Sequence, residues 1–326
     1  MEQPPLVSPA DIDLAARVIA PFAVRTPLLS FPVLNERVGA SVFLKPEMLQ
    51  RTGSFKFRGA FNKVCSIPEA RRGGGVVAFS SGNHAQGVAA AAKILNMQAT
   101  IVMPSDAPLS KRERTKAFGA EVVLYDRDRE DREAIARGIA EKSGATLVRP
   151  FDDPLVIAGQ GTVGREIAED MAALGIAPDI VVAPASGGGL VAGVATAVKA
   201  CFPLAQLVVA EPEAFDDHRR SLVAGRREPH GPASRTICDS LMAPMPGEIT
   251  FAINSKLLSR GVTASDEEVG AAVAFVFREL KLVVEPGGAV GLAALLAGRL
   301  DVAGKNVVIV LSGGNVDADM FAELVA

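Results

Sequence analysis

Lys56 stands in the stretch Gly53-Ser54-Phe55-Lys56-Phe57-Arg58-Gly59-Ala60, between two phenylalanines and inside a frame of glycines and small residues. An ammonium held among apolar neighbours is costly to keep charged, so its pKa falls toward neutrality and the amine becomes a usable nucleophile. The usual partner of a nucleophilic lysine is an aldehyde. An aldehyde carried on a phosphate handle would need a second feature: a run free of Cβ atoms whose backbone N–H groups close on the phosphate at a helix N-terminus. Ser186-Gly187-Gly188-Gly189-Leu190 is such a run, and the two stretches together fit pyridoxal phosphate. Taken alone, a lysine reads as a side chain snorkelling from a strand or helix end, and only its company changes that reading.

Ser80-Ser81-Gly82-Asn83-His84-Ala85-Gln86-Gly87 gathers hydroxyl, amide and backbone donors at the start of an expected helix, which suits a carboxylate. A capped helix start with a structural histidine is the plainer alternative. Glu285-Pro286-Gly287-Gly288-Ala289 and Ser312-Gly313-Gly314-Asn315 are two further glycine-rich turns. The glycine loop also admits a rival reading. Gly187 to Gly193 follows a strand, opens a helix and precedes a strand ending in Glu211, the spacing of a dinucleotide site in an oxidoreductase. That reading leaves Lys56 and the other turns unexplained. A non-catalytic metabolite sensor would be marked by loss of the lysine, which is present.

The elements that must position these residues alternate. Short continuous apolar runs at Val76 to Phe79, Thr100 to Met103, Glu121 to Tyr125 and Thr146 to Val148 predict parallel strands buried on both faces, with helices near Asn83 to Leu95, Leu109 to Phe118 and Glu130 to Lys142 between them. Strands are expected at Ser41 to Leu44, Ile180 to Ala183, Leu207 to Ala210, Leu282 to Val284 and Asn306 to Leu311. Helices are expected from Pro154 to about Leu174 and from Leu190 to Cys201. Ser8-Pro9-Ala10-Asp11 and Ser265-Asp266-Glu267-Glu268 are helix starts, the second opening a helix to about Leu280. The fold class is α/β, two lobes around two mostly parallel sheets flanked by helices. A small mobile domain, 75–148, is inserted into a large cofactor-binding domain of 1–74 and 149–326, with the cleft between them. Ligands in such sheets bind outside the carboxyl ends of the strands, where each of these motifs falls.

Composition excludes several classes. The chain has 326 residues, 49% hydrophobic content and a formal net charge of -3, so it is large enough for two lobes and carries no basic field for nucleic acid. Pro184 and the glycines interrupt the one long uncharged segment, Ile180 to Val198, which argues against a membrane span. The acidic, proline-containing start has no targeting pattern, and a cytoplasmic location is expected. Cys65, Cys201 and Cys238 lack paired spacing and read as reduced core thiols.

Six motifs in chain order then carry a resemblance over nearly the whole length: Gly53 to Ala60, Ser80 to Gly87, Ala158-Gly159-Gln160-Gly161-Thr162, Ser186 to Leu190, Glu285 to Ala289 and Ser312 to Asn315. Together they resemble the pyridoxal-phosphate-dependent serine/threonine dehydratases and serine racemases of the tryptophan-synthase-β fold. The resemblance implies that Lys56 carries the cofactor, that Phe55 and Asn83 contact its ring, and that Ser186, Gly187, Gly188, Gly189 and Leu190 hold its phosphate. Ser312 would face the pyridine nitrogen, with Glu285 near the ring. Ser80, Ser81, Asn83 and His84 would line the substrate carboxylate, and Ser81 would be an acid/base group opposite Lys56. Glu211, the carbonyl of Phe215 and Asp217 would hold Mg²⁺ or Ca²⁺ through oxygen alone. Relatives are commonly dimers, so a homodimer is expected.

Two positions depart from the family pattern: Ser186 where a fourth glycine is usual, and Ser240 in Thr236-Ile237-Cys238-Asp239-Ser240 where relatives carry Asp-Gly. The chain stops at Ala326 without a regulatory domain, so feedback by isoleucine is not expected. The implied reaction is β-elimination from a 3-hydroxy amino acid to a 2-oxo acid and ammonia. L-Threonine is the first expectation and L-serine the second, because the wall at Ala243 and Pro244 reads as apolar. 3-Hydroxyaspartate, with Arg132 binding its second carboxylate, and serine racemisation are the alternatives. Glu130, Asp131 and Glu133 stand close to Arg132 as competing partners.

Overall fold

The computed structural model describes residues 7–80, 82–107, 109–126, 129–230 and 235–326. It opens with α1 (Pro9–Ile19), where Ser8 Oγ accepts from Asp11 N and the Asp11 carboxylate accepts from Ser8 N, the capping box its sequence predicts. Then come α2 (Pro32–Val38), β1 (Ser41–Pro46) and α3 (Lys56–Cys65). A regular alternation follows: β2 (Val76–Phe79), α4 (Asn83–Ile94), β3 (Ala99–Pro104), α5 (Leu109–Ala117), β4 (Glu121–Tyr125), α6 (Arg132–Ser143) and β5 (Thr146–Leu147). The rest comprises α7 (Pro154–Ala173), β6 (Ile180–Pro184), α8 (Gly189–Cys201), β7 (Gln206–Pro212), α9 (Asp217–Ala224) and α10 (Glu248–Leu257), then β8 (Arg260–Ala264), α11 (Asp266–Leu280), α12 (Pro286–Leu296), β9 (Asn306–Leu311) and α13 (Ala318–Val325).

The strands form two wholly parallel sheets, β1-β9-β6-β7-β8 and β4-β3-β2-β5. Alternation along each strand divides the cores. In the five-stranded sheet Val182, Val208 and Ile309 face α11 and α12, while Val181, Val209 and Val308 face α7 and α8. In the four-stranded sheet Ala78, Ile101 and Met103 face α3 and α4, while Val77, Phe79, Val102 and Tyr125 face α6. Both faces of each sheet are covered, which is why the strands read as continuous apolar runs.

The helix that begins at Lys56 joins the two cores. Its Phe57, Phe61 and Val64 belong to the cluster under the small sheet. On its other side a Cβ at Gly159 would lie 2.6 Å from Gly59 Cα, so only glycine allows α3 and α7 to approach this closely.

Three expectations are corrected. Leu282 to Val284 form no strand: Lys281, in the left-handed conformation, ends α11, Leu282 N is committed to Val276 O, and Glu285 already caps α12. Of the three free cysteines only Cys238 is a buried core thiol, and Cys201 is exposed. The stretch between Ala210 and Asp266, for which no element is expected, holds α9, α10 and β8, the last of which extends the large sheet by one strand. Among the described residues no helix is long and apolar enough to cross a membrane.

Candidate active site

The segments leaving β1, β9, β2 and β6 converge on Lys56. Ser54 bridges to Gly313, and Phe55 N donates to Ser312 O at 3.1 Å, which seats the first turn of α3 against the end of β9. A Cβ on Gly53 would stand 2.6 Å from Asn315 Oδ1, a second contact between the same segments. Lys56 Nζ donates to Pro150 O at 2.8 Å and lies 5.2 Å from the Phe55 ring centroid. Phe57 points into the small-lobe core instead of flanking the amine, because successive helical residues diverge by about 100°. Burial, opposed in part by Glu285, still lowers the Lys56 pKa to about 8.

Beside the amine lies an amide and carboxyl network. Asn83 Nδ2 donates to Glu285 Oε1 at 2.6 Å, and Asn315 Nδ2 donates both to Asn83 Oδ1 and to Thr52 O at 2.7 Å. Burial, reinforced by Asp239, raises the Glu285 pKa to about 7. Glu285, Asn83 and Ser312 are thus brought to one place with Lys56, and the buried Ser54 and Ser240 hydroxyls have no hydrogen-bond partner among the described residues.

Ser80 Oγ accepts from Gly82 N at 3.2 Å at the mouth of α4, and Ser81 lies outside the described residues. His84 differs from the role given to it. Its Nε2 lies 2.9 Å from Val148 O, which requires the proton on that nitrogen, and burial followed by Lys56 pushes its pKa down to about 3. The ring is therefore neutral and its Nδ1 is an acceptor, the geometry of a structural histidine tying α4 to the strand end beyond β5.

The glycine loop is enclosed from three directions. Gly188 has φ +92°, a conformation open to glycine, and caps α8 so that its N-terminal N–H groups open onto the loop. A Cβ on Gly187 would collide with the Phe151 ring, and one on Gly188 with His218 Nε2. From α10, Thr250 Oγ1 donates to Gly187 O at 2.6 Å and Asn254 Nδ2 to Gly188 O at 3.5 Å. Ser186 Oγ accepts from Ala243 N at 3.0 Å, which leaves its own proton free to donate. Leu190 is buried beneath the loop. Thr250 and Asn254 are functional candidates the sequence reading missed. The turn Pro246-Gly247-Glu248, whose following N–H groups are capped by Asp152, was the available signal.

Arg132 opens α6 at the carboxyl edge of the small sheet, its guanidinium 5.5 Å from the centroid of Phe79, one residue before Ser80. The acids expected to compete for it are engaged elsewhere: Glu130 accepts from Asp126 N, Asp131 caps α6, and Glu133 pairs with Arg137 and Arg149. Lys111 of the small lobe and Asp239 of the large one form an ion pair across the cleft.

Glu211 and Asp217 do come together, with Phe215 in the turn between them, and His218 joins them. Both Glu211 oxygens accept backbone N–H groups, from His218 and Arg219, each at 2.8 Å. A fully buried carboxylate spent in this way cannot receive a ribose, which removes the basis of the dinucleotide reading. Burial raises the Glu211 pKa, and the carboxylates of Asp217 and Glu211 outweigh desolvation to lift that of His218 to about 9.

A family model described as "Pyridoxal-phosphate dependent enzyme" matches residues 19–313. An L-threo-3-hydroxyaspartate ammonia-lyase of a Pseudomonas species is 45% identical over 96% of this chain and 97% of its own. An L-threonine ammonia-lyase of Thermotoga maritima is 43% identical over 98% of this chain and 78% of its own. The structure of maize serine racemase superposes with a TM-score of 0.92 at 36% identity, covering 98% of this chain and 97% of that one.

Proposed function

The chain belongs to the pyridoxal-phosphate-dependent enzymes, and from that premise we propose that it is an ammonia-lyase converting a 3-hydroxy amino acid to a 2-oxo acid and ammonia, with 3-hydroxyaspartate as the preferred substrate. The residues fit the cofactor: a glycine loop at a helix N-terminus for the phosphate, a desolvated amine for the aldehyde, and unpartnered hydroxyls in the same cleft. When bound, pyridoxal phosphate supplies an electron sink beside the substrate Cα. Lys56 Nζ tethers the cofactor and, once released, takes the Cα proton. Asn83 and the Ser80 turn orient the substrate carboxylate on the donors of α4. Ser312, a neutral partner for the pyridine nitrogen, favours rapid expulsion of the β-hydroxyl. Water leaves across Cα–Cβ, and hydrolysis of the enamine returns water and releases ammonia.

The observation that carries the substrate choice is the Arg132 guanidinium, without a carboxylate partner among the described residues and stacked beside the strand end that delivers Ser80. A second substrate carboxylate would meet it there; left unpaired in a closed site, that carboxylate would cost several kcal/mol. The second reading, L-threonine followed by L-serine, is favoured by the buried Ala243 on the opposite wall. Product assays over a panel of 3-hydroxy amino acids separate the two. We expect kcat/KM for 3-hydroxyaspartate to exceed that for threonine at least about tenfold, and Arg132→Ala to abolish that ratio. A wild-type enzyme that prefers threonine overturns the choice of substrate. Serine racemisation would need Ser81 as a second acid/base group, and little inversion of residual L-serine is expected.

The lowered Lys56 pKa sets a pH dependence. The neutral amine captures the aldehyde, so a pKa of about 8 places the rise in the rate of cofactor uptake by the apoenzyme near pH 8, where a solvated lysine would place it near 10.5. Stopped-flow absorbance across pH 6.5 to 10 reads the midpoint.

The same reading carries a homodimer, a cytoplasmic location and closure of residues 75–148 over the cleft, the last supported by the Lys111–Asp239 pair between lobes.

A further inference from the structure

We propose that Asp152 is a positioning residue for the cofactor phosphate: it fixes the first turn of α10, and α10 holds the Gly187 and Gly188 carbonyls so that the peptide N–H groups on their other side face the phosphate. That role presupposes the phosphate in the loop from Ser186 to Leu190, as proposed above.

Two helices present their N-termini to this loop. α8 begins at Gly188 with no side-chain cap among the described residues, so its first N–H groups are left for an anion. The start of α10 is closed. Asp152 Oδ1 accepts from Ile249 N at 2.9 Å and from Thr250 N at 3.2 Å, and Oδ2 accepts from Glu248 N at 3.1 Å. Ser8, Asp131, Asp153 and Ser265 cap the helices they directly precede, whereas α10 starts after a glycine and takes its cap from a residue 96 positions earlier. With a carboxylate already seated on α10, the terminus that an incoming anion finds open is that of α8, and α10 is left to act as scaffold.

What α10 supports is the carbonyl side of the loop. Gly187 O accepts from Thr250 Oγ1 at 2.6 Å and from Gly247 N at 3.2 Å, and Gly188 O accepts from Asn254 Nδ2 at 3.5 Å. A trans peptide sends its N–H opposite to its C=O, so carbonyls drawn to α10 aim the Gly188 and Gly189 N–H groups away from it. Thr250 and Asn254 are 0% exposed, so water cannot stand in for either donor. A Cβ on Gly247 would lie 2.4 Å from Asp152 Oδ1 and 2.9 Å from Thr250 Oγ1, so cap, turn and hydroxyl are packed as one unit that only glycine admits. The two residues before Asp152 serve the same cleft: the Phe151 ring packs on Gly187, and Pro150 O receives Lys56 Nζ at 2.8 Å. Three consecutive residues between β5 and α7 thus touch the amine, the loop and the scaffold of the loop.

The test titrates the full-length protein, stripped of cofactor with hydroxylamine, separately with pyridoxal phosphate and with pyridoxal, the same aldehyde without the phosphate. The native protein should bind the phosphorylated aldehyde at least about 100-fold more tightly. Asp152→Ala should lower that ratio about tenfold or more, through weaker binding of pyridoxal phosphate with pyridoxal unchanged, and Asp152→Asn, which keeps an acceptor oxygen, should recover most of it. Thr250→Val removes the hydroxyl but keeps the branched shape and should reproduce the fall, a second route to the answer should Asp152→Ala not fold. Asp153→Ala, which uncaps α7 instead, should lower the melting temperature and leave the ratio as it is. Asp152→Ala and Thr250→Val proteins that keep the native ratio, a parallel loss of pyridoxal affinity, or an equal fall in Asp153→Ala overturns the role given to Asp152. A native protein that binds both aldehydes alike overturns the assignment of the phosphate to the loop and the role of Asp152 with it, a result read before any variant is made.

Discussion

Lys56→Ala removes turnover, lowering kcat by about 10³-fold or more, and with it the covalent pyridoxyl label that borohydride otherwise fixes on the peptide containing Lys56. The size follows from two losses at one atom. On the proposed reading the amine that would anchor the cofactor is gone, and so is the proposed base for the substrate Cα, since no other lysine shares the position held at 2.8 Å from Pro150 O. Neutral His84 cannot replace it as a tether, its Nε2 being committed to Val148 O. Cofactor binding itself should weaken less than turnover, because the phosphate contacts from the Ser186 to Leu190 loop are untouched. The holoenzyme has one tyrosine and no tryptophan, so its near-visible band stands clear of a weak protein absorbance. Retention of full turnover in Lys56→Ala, or a native protein that takes up nucleotide without showing that band, refutes the assignment.

The parts of this architecture that the sequence made legible are those in which local pattern and tertiary role coincide. The buried strands of a parallel sheet, such as Ile180–Pro184, are apolar on both faces wherever they lie in the sheet, so their reading requires no knowledge of neighbours. Ser8 and Ser265 cap helices through contacts three residues away. The glycine loop is legible because the absence of Cβ is demanded by collisions at Gly187 and Gly188, whatever supplies them. What supplies them was not legible. Phe151, His218 and Asn254 reach the loop from elements 30 to 70 residues away along the chain, and nothing in their own surroundings distinguishes them from packing residues. Leu282 to Val284 failed for the converse reason: an apolar triplet reads as a buried strand, although Val283 is exposed and Leu282 N is spent on the turn that ends α11. The competition expected for Arg132 was a matter of sequence distance alone, and the structure turns each neighbouring acid to another donor.

Arg58→Met is expected to destabilise the protein by about 3–5 kcal/mol, far beyond the loss of any surface ion pair. Arg58 is fully buried two residues after Lys56, donating to Glu47 Oε2 at 2.8 Å through Nε and to Glu166 Oε1 at 2.6 Å through one terminal nitrogen. Lys45 completes the cluster at 2.7 Å from Glu166, so two buried cations face the carboxylates of Glu47 and Glu166 largely out of contact with water. Methionine keeps much of the volume but leaves Glu47 with only the Thr26 hydroxyl at 2.6 Å, an uncompensated buried charge. By contrast, breaking Arg165–Asp13, in which the side chains are 39% and 53% exposed, should cost under about 1 kcal/mol. The pH dependence identifies the cause. Burial alone would raise the Glu166 pKa, but Arg58 and Lys45 overcome it and hold the group below its ordinary value, so this stabilisation is present near neutrality and is lost as pH falls through that lowered pKa. Without Arg58, Glu166 loses the partner that does most to hold its pKa down, and the deficit of the variant should therefore be larger at pH 8 than at pH 5. Denaturant unfolding of both proteins at the two pH values gives the comparison. A deficit under about 1 kcal/mol, or one that does not change with pH, would show that α3 is held by packing alone and that the charges beneath Lys56 are incidental to its placement.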